Sequence, residues 1–157
     1  MLERRSALAS THAVEASRVT LREAPDFSLT QVINPSRDAS KLLGPLPGEI
    51  GEARRSGART VMMTGPHQYW VVGPVQDDVA RQLLGQAIVT PLSSSRTRIE
   101  LAGEEARTIL AKSAAIDFHS SSFKPGHFVM TGIHHTPVLI HCIGDDRFHL
   151  YALRTFA

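Results

Sequence analysis

One cysteine, Cys142, stands in a chain of 157 residues. A lone thiol excludes a disulfide framework within the chain and any metal cage built from cysteines. Long apolar runs are missing as well. Nothing approaches the roughly 18 residues that a bilayer-spanning helix needs, so no membrane partner is expected. Charge of one sign is also missing: 17 Lys and Arg face 15 Asp and Glu, a formal net charge of +2. The pI near 9.0 follows from that small excess, because few groups titrate just above neutral pH. A nucleic-acid binder shows a clustered basic face rather than near-balance, so no nucleic-acid partner is expected either. Apolar residues make up 42% of the chain and charged residues 20%, the balance of a globular protein. The length suits a single domain, 1–157. Arg4 and Arg5 invite a twin-arginine export reading, but no apolar stretch follows and Glu15 interrupts the segment. The expected location is cytoplasmic.

Proline and glycine are crowded into residues 1–58, at Pro25, Pro35, Pro45, Pro47, Gly44, Gly48, Gly51 and Gly57. Punctuation at that density prevents long helices. This third is expected to be irregular and to pack on a partner, with one strand over Phe27 to Ile33. An α+β core is expected over 59–157. Thr60 to Thr64 and Gln68 to Val72 read as a hairpin around Gly65-Pro66-His67. A helix is expected over Val75 to Ala87, with Val75, Val79, Leu83 and Ala87 as its stripe and Asp77 and Asp78 in its first turn. Thr97 to Ala102 alternates as a half-buried strand with Ile99 and Leu101 inward, and Gly103 ends it. Glu104 to Ala115 is a second amphipathic helix, with Ala106, Ile109, Leu110 and Ser113 inward. A second hairpin pairs His127 to Ile133 with Pro137 to Ile143. A last strand runs from Arg147 to Thr155, with Phe148, Leu150 and Ala152 on one face. The fold class is therefore α+β, a mainly antiparallel sheet with two amphipathic helices.

The search for chemistry begins with histidine. Six of the eight lie between His119 and His149. Zinc needs three or four converging ligands. His134 and His135 are adjacent at a bend, while His127, His141 and His149 lie on three strands and meet only if those share a sheet face. No carboxylate accompanies them at ligand spacing, so they read as surface or partner-facing groups. Cys142 sits mid-strand beside His141, and strand neighbours face opposite ways, so it reads as a buried inert thiol. Asp117 and His119 look like an acid–base pair but read better as a cap or interface. Arg54, Arg55 and Arg59 form the densest basic cluster, without interleaved aromatics, and read as a solvated or partner-docking patch. No catalytic, cofactor-binding or metal residue is assigned.

The stretch Gly65 to Val72 (GPHQYWVV) resembles the glycine-proline-aspartate-glutamate-tryptophan signature of aminomethyltransferase-like folate proteins. Ser95 to Ile133 resembles the gamma subunit of heterotetrameric sarcosine oxidase: strand, Gly103, helix, then Asp117-Phe118-His119, Phe123-Lys124-Pro125-Gly126 and Thr131. Arg5-Ser6-Ala7-Leu8-Ala9, Leu46-Pro47 and the closing Arg154-Thr155-Phe156-Ala157 resemble it too. His67-Gln68-Tyr69 depart from the signature before Trp70, and Ser113-Ala114 replace a Gly-Cys pair. The family continues into a C-terminal helix after the Phe-Ala, so an edge left open or filled by another subunit is expected here.

The resemblance implies an aminomethyltransferase-domain-like fold with ferredoxin-like strand-helix units. It implies a noncatalytic gamma subunit of a complex that oxidatively demethylates sarcosine, or a related N-methyl amino acid. Products would be glycine, formaldehyde or 5,10-methylenetetrahydrofolate, and hydrogen peroxide. The implied partners are alpha, beta and delta subunits, which would hold FAD, FMN, NAD, tetrahydrofolate and zinc, with no cofactor in this chain. Two rivals remain: a stand-alone folate-binding aminomethyltransferase-like protein, and a small metal-dependent enzyme using the His119 to His149 cluster.

Overall fold

A computed structural model of the chain describes residues 6–8, 13–16 and 18–156. The Arg4-Arg5 pair, Ala9 and Ala157 lie outside the described residues. In chain order the strands are β1 (Val14–Ala16), β2 (Val19–Glu23), β3 (Ser28–Ile33), β4 (Ala53–Ser56), β5 (Arg59–Gly65), β6 (Gln68–Gly73), β7 (Ile88–Pro91), β8 (Arg96–Ala102), β9 (Phe128–Ile133), β10 (Thr136–Gly144) and β11 (Arg147–Leu153). The helices are α1 (Arg37–Leu43), α2 (Val79–Gln82) and α3 (Ala106–Ser113). They gather into two compact units, one from Met1–Pro25 with Ser95–Ala157, the other from Asp26–Ser94.

The first unit is a six-stranded sheet in the order β1-β2-β8-β11-β10-β9 with every pairing antiparallel. β10 is buried continuously from Val138 to Cys142, as a central strand covered on both faces should be. On one face, Leu101, Val138, Ile140, Cys142, Phe148 and Leu150 meet Ala106 and Leu110 of α3. The expected inner face of this helix is narrower than its stripe suggested. Ile109 is 37% exposed, because two turns of helix present only the pair at i and i+4 squarely to the sheet. Gly103 joins β8 to α3 at φ +125°, and an added Cβ there would run into the Arg18 carbonyl oxygen. Glycine is required at this position for both reasons.

The second unit is a five-stranded antiparallel sheet in the order β4-β5-β6-β3-β7. Its core joins Val32, Val61, Tyr69 and Val71 of the sheet to Ala39 and Leu43 of α1 and to Val79 and Leu83. The Ser36 hydroxyl caps α1, accepting from the Ala39 N–H at 3.1 Å. Pro66 and His67 form the two-residue turn of the β5–β6 hairpin, with His67 at φ 53°.

The architecture is α+β with mainly antiparallel sheets, as expected. Two local expectations differ. Residues 1–58 carry β1, β2, β3, α1 and β4 rather than a single strand; their prolines and glycines bound short elements instead of abolishing them. The helix expected over Val75 to Ala87 shrinks to α2. Asp77 N–H donates to the Pro74 carbonyl in a preceding turn, and Gly85, at φ 76°, ends the segment. Val79 and Leu83 of the stripe are buried, whereas Val75 is 51% exposed.

Candidate functional site

Three polar clusters hold the chemistry-bearing side chains. The first crosses the six-stranded sheet on the face opposite α3. Register aligns Arg22 with Glu100, Glu100 with His149, and His149 with His141, one residue from each of β2, β8, β11 and β10. Glu100 is only 8% exposed. It accepts from Arg22 Nη2 at 2.8 Å and Arg147 Nη2 at 3.3 Å, and lies 3.5 Å from His149 Nε2. Burial pushes its carboxyl up, but the Arg22 hydrogen bond and the charges of Arg22, Arg147 and His149 outweigh that and hold it below the ordinary range. His141 is pushed down to about 4 by burial and by the neighbouring His149. His149 is pushed down to about 4 by burial and Arg98, against the pull of Glu100. Burial drives the Tyr151 phenol, one pleat along the same face, up to about 12. Both histidines are therefore neutral at neutral pH beside an ionised, paired carboxylate.

The second cluster closes the end of α3. Arg107 Nε donates to Asp146 Oδ1 at 2.9 Å, and its Nη1 donates to the carbonyls of Phe118 at 2.7 Å and Phe123 at 3.0 Å. The guanidinium lies 5.2 Å from the Phe148 ring centre. Phe118 packs edge-on against Phe123 and Phe148, with centroids 5.2 and 6.5 Å away. The Asp117-Phe118-His119 element thus works as a plug. Phe118 fills the core. The Asp117 carboxylate bonds to the Ser122 side chain and the His119 N–H, which hold it below the ordinary range. His119 Nδ1 lies 2.7 Å from Ser121 Oγ. Cys142 is buried, which pushes its thiol up, and it donates to the Gly144 carbonyl at 3.3 Å. A protonated, enclosed thiol is a poor nucleophile.

The third cluster lies in the second unit. Arg59 grips Asp77 with two bonds of 2.6 Å and reaches Gln82 Oε1 at 2.7 Å. Arg59 and Asp77 border a shallow cleft of about 470 Å³ that Leu42, Ser56 and Gln76 also line. Asp77 therefore serves an ion pair rather than a helix dipole, and Asp78 caps α2 through the Arg81 N–H at 3.1 Å.

The residues singled out from sequence divide clearly. His141 and His149 do meet, but β9 begins at Phe128, which the register sets opposite His141. His127 falls outside the pair and lies 3.2 Å from the Lys124 carbonyl. His134 and His135 occupy the exposed β9–β10 turn. Among the described residues, no group of three or more His, Cys, Asp or Glu has the geometry to hold a metal ion. The three arginines do not act as one patch: Arg54 pairs with Glu52 at 2.8 Å, Arg55 bonds to the Gly57 carbonyl, and Arg59 holds Asp77. Glu100, the centre of the first cluster, escaped the sequence reading. Strand alternation placed it on a solvent face, and only the pairing of β8 with β2 and β11 gathers its partners.

Two antiparallel sheets with short covering helices define an aminomethyltransferase-like fold. The glycine cleavage system aminomethyltransferase T of Bartonella henselae superposes with a TM-score of 0.64 at 15% identity, over 89% of this chain and 43% of that one. Residues 55–157 match the sarcosine oxidase, gamma subunit family. The chain belongs to that family. Sarcosine oxidase subunit gamma of an Arthrobacter species is 28% identical over 113 residues, covering 67% of this chain and 55% of that protein. The subunit from Corynebacterium sp. strain P-1 is 28% identical over 119 residues, covering 71% and 58%. This chain's match spans a little over half the length of these relatives. A chain of the heterotetrameric sarcosine oxidase of Corynebacterium sp. U-96, solved with pyrrole 2-carboxylate, superposes with a TM-score of 0.83 at 25% identity, over 98% of this chain and 88% of that one.

Proposed function

We propose that this chain is the noncatalytic gamma subunit of a heterotetrameric sarcosine oxidase-type complex, with a structural and assembly role. The observation that carries the reading is the likeness of almost the whole chain to one chain of a heterotetrameric sarcosine oxidase. The complex demethylates sarcosine, or a related N-methyl amino acid, oxidatively in the cytoplasm. Its products are glycine, hydrogen peroxide, and formaldehyde or 5,10-methylenetetrahydrofolate. FAD, FMN, NAD, tetrahydrofolate and zinc reside in the alpha, beta and delta subunits. The clusters described above support a structural role. Arg107, Asp117, Glu100 and Arg59 each spend their hydrogen bonds on neighbouring parts of this chain.

The test is co-expression of the full chain with the three partner subunits. A flavin-bearing complex that oxidises sarcosine is expected, and its turnover should be unchanged by His119→Ala or Asp117→Asn. A chain that recovers no flavoprotein would overturn the assembly role, and a thousandfold loss of kcat from either substitution, with assembly intact, would overturn the noncatalytic one. Calorimetric titration of the full chain with tetrahydrofolate separates the folate-binding alternative, which requires micromolar affinity without partners.

A further inference from the structure

The two sheets have four edge strands, and three of them are blunted. β1 is three residues long and carries Glu15. β4 presents the exposed Arg54 and Arg55. β7 has four residues and ends on Pro91. Shortness, charge and proline are the ordinary protections against strand addition. β9 has none of them: it is six residues long, Phe-Val-Met-Thr-Gly-Ile, without charge or proline.

Among the described residues, no strand pairs with its outer side. Cys142 N–H donates to the His127 carbonyl at 2.9 Å at the start of the β9–β10 ladder. Antiparallel alternation from there turns the backbone groups of Val129, Thr131 and Ile133 toward β10 and those of Phe128, Met130 and Gly132 outward. The Met130 side chain is 57% exposed. A Cβ added at Gly132 would meet only the His134 carbonyl oxygen, at 3.7 Å. Val129 and Ile133 flank the apolar core and are only partly buried, so a further strand would extend that core.

We infer that the outer edge of β9 takes an extended segment of a partner subunit as a seventh strand, apolar at its centre and acidic at its ends. The backbone groups specify a strand, because only an extended chain offers donors and acceptors at their spacing. The side chains at either end favour acidic groups, because Lys124 carries a positive charge and the histidines offer imidazole donors. Residues 124–135 carry Lys124, His127, His134 and His135 and no carboxylate. A second copy of this chain would bring no carboxylate to these ends, since two antiparallel β9 strands would set each His134-His135 turn beside the other copy's His127 and Lys124. The inference rests on the assembly role proposed above.

Hydrogen exchange on the full chain, free and in the co-expressed complex, tests it. The amides of Met130 and Gly132 are expected to exchange about a hundredfold more slowly in the complex. Met130→Pro removes an outward N–H and leaves the β10 ladder intact, while Met130→Lys adds the missing protective charge and keeps the backbone donor. Both are expected to lower the flavoprotein recovered with the chain about tenfold or more. Circular dichroism melting identifies a variant that fails to fold, and Met130→Lys then carries the test alone. Equal exchange of the two amides in free and assembled chain overturns the inference, as does full recovery with either folded variant. Slow exchange in the free chain together with dimerisation would assign the edge to a second copy and overturn it too. If the unsubstituted chain recovers no flavoprotein, the assembly role itself fails. If chain and variants recover it equally, only the β9 edge is wrong.

Discussion

The two units share an architecture and treat buried charge differently. The Asp26–Ser94 unit packs an apolar core of valines, leucines and Tyr69, and keeps its enclosed ion pair, Arg59–Asp77, at the joint between β5 and the turn before α2. The other unit packs its apolar core against α3 on one sheet face. Its opposite face carries Arg22, Glu100, His149 and His141 in one row across four strands. A sheet tolerates such a row when each charge finds its partner on the next strand, because an unpaired buried charge costs several kcal/mol. One unit should therefore be sensitive to acid and the other to loss of a single clamp.

The largest effect is expected among the clustered phenylalanines of the six-stranded unit. Phe118→Ala empties the space between Phe123 and Phe148 and should cost about 4 kcal/mol. Urea denaturation read by far-ultraviolet circular dichroism measures it. Trp70, the only tryptophan, belongs to the other unit, so its fluorescence gives an independent signal. The single-domain reading of 1–157 requires both transitions to move together. A shift in dichroism alone would mean that the units unfold separately.

A somewhat smaller loss, about 3 kcal/mol, is expected from Asp77→Ala, which leaves Arg59 enclosed without its carboxylate. The Trp70 transition is the readout. A loss below about 1 kcal/mol would show that water screens the pair as it does at a surface, and the contrast between the units would weaken.

Much of this fold was legible in sequence because its signals are local. Both hairpins, β8, α3 and β11 follow from alternation, from the Gly65-Pro66-His67 turn and from Gly103. The Pro74–Gly85 segment misled because a helical stripe of valine and leucine also suits a turn followed by one helical turn. The stripe cannot reveal that Asp77 prefers Arg59, which lies 18 positions away. The polar row was illegible for a related reason. Arg22 and Glu100 are 78 positions apart, and nothing in either segment encodes that β2 pairs with β8. Burial of Glu100 is a property of register, and register is settled by the assembled sheet.

The row also supplies the sharpest test of the contrast. His141 and His149 each fall from an ordinary 6.5 to about 4 on folding. Between those values the unfolded chain binds more protons than the folded one, so stability must decline as pH falls through that window. For His141, the more enclosed of the two, the loss expected between pH 7 and pH 5 is about 2 kcal/mol. Glu100 adds to the acid loss only at lower pH, since its folded value is depressed below the carboxylate range and its contribution disappears as pH falls through that value. His141→Leu replaces the imidazole with an apolar group of similar size, so the slope of stability against pH over this window should fall by about half. Urea midpoints at pH 7, 6 and 5, read by dichroism, measure the slope. An unchanged slope would mean that the His141 imidazole is hydrated and titrates normally, and the acid sensitivity of the sheet face would then rest on His149 alone.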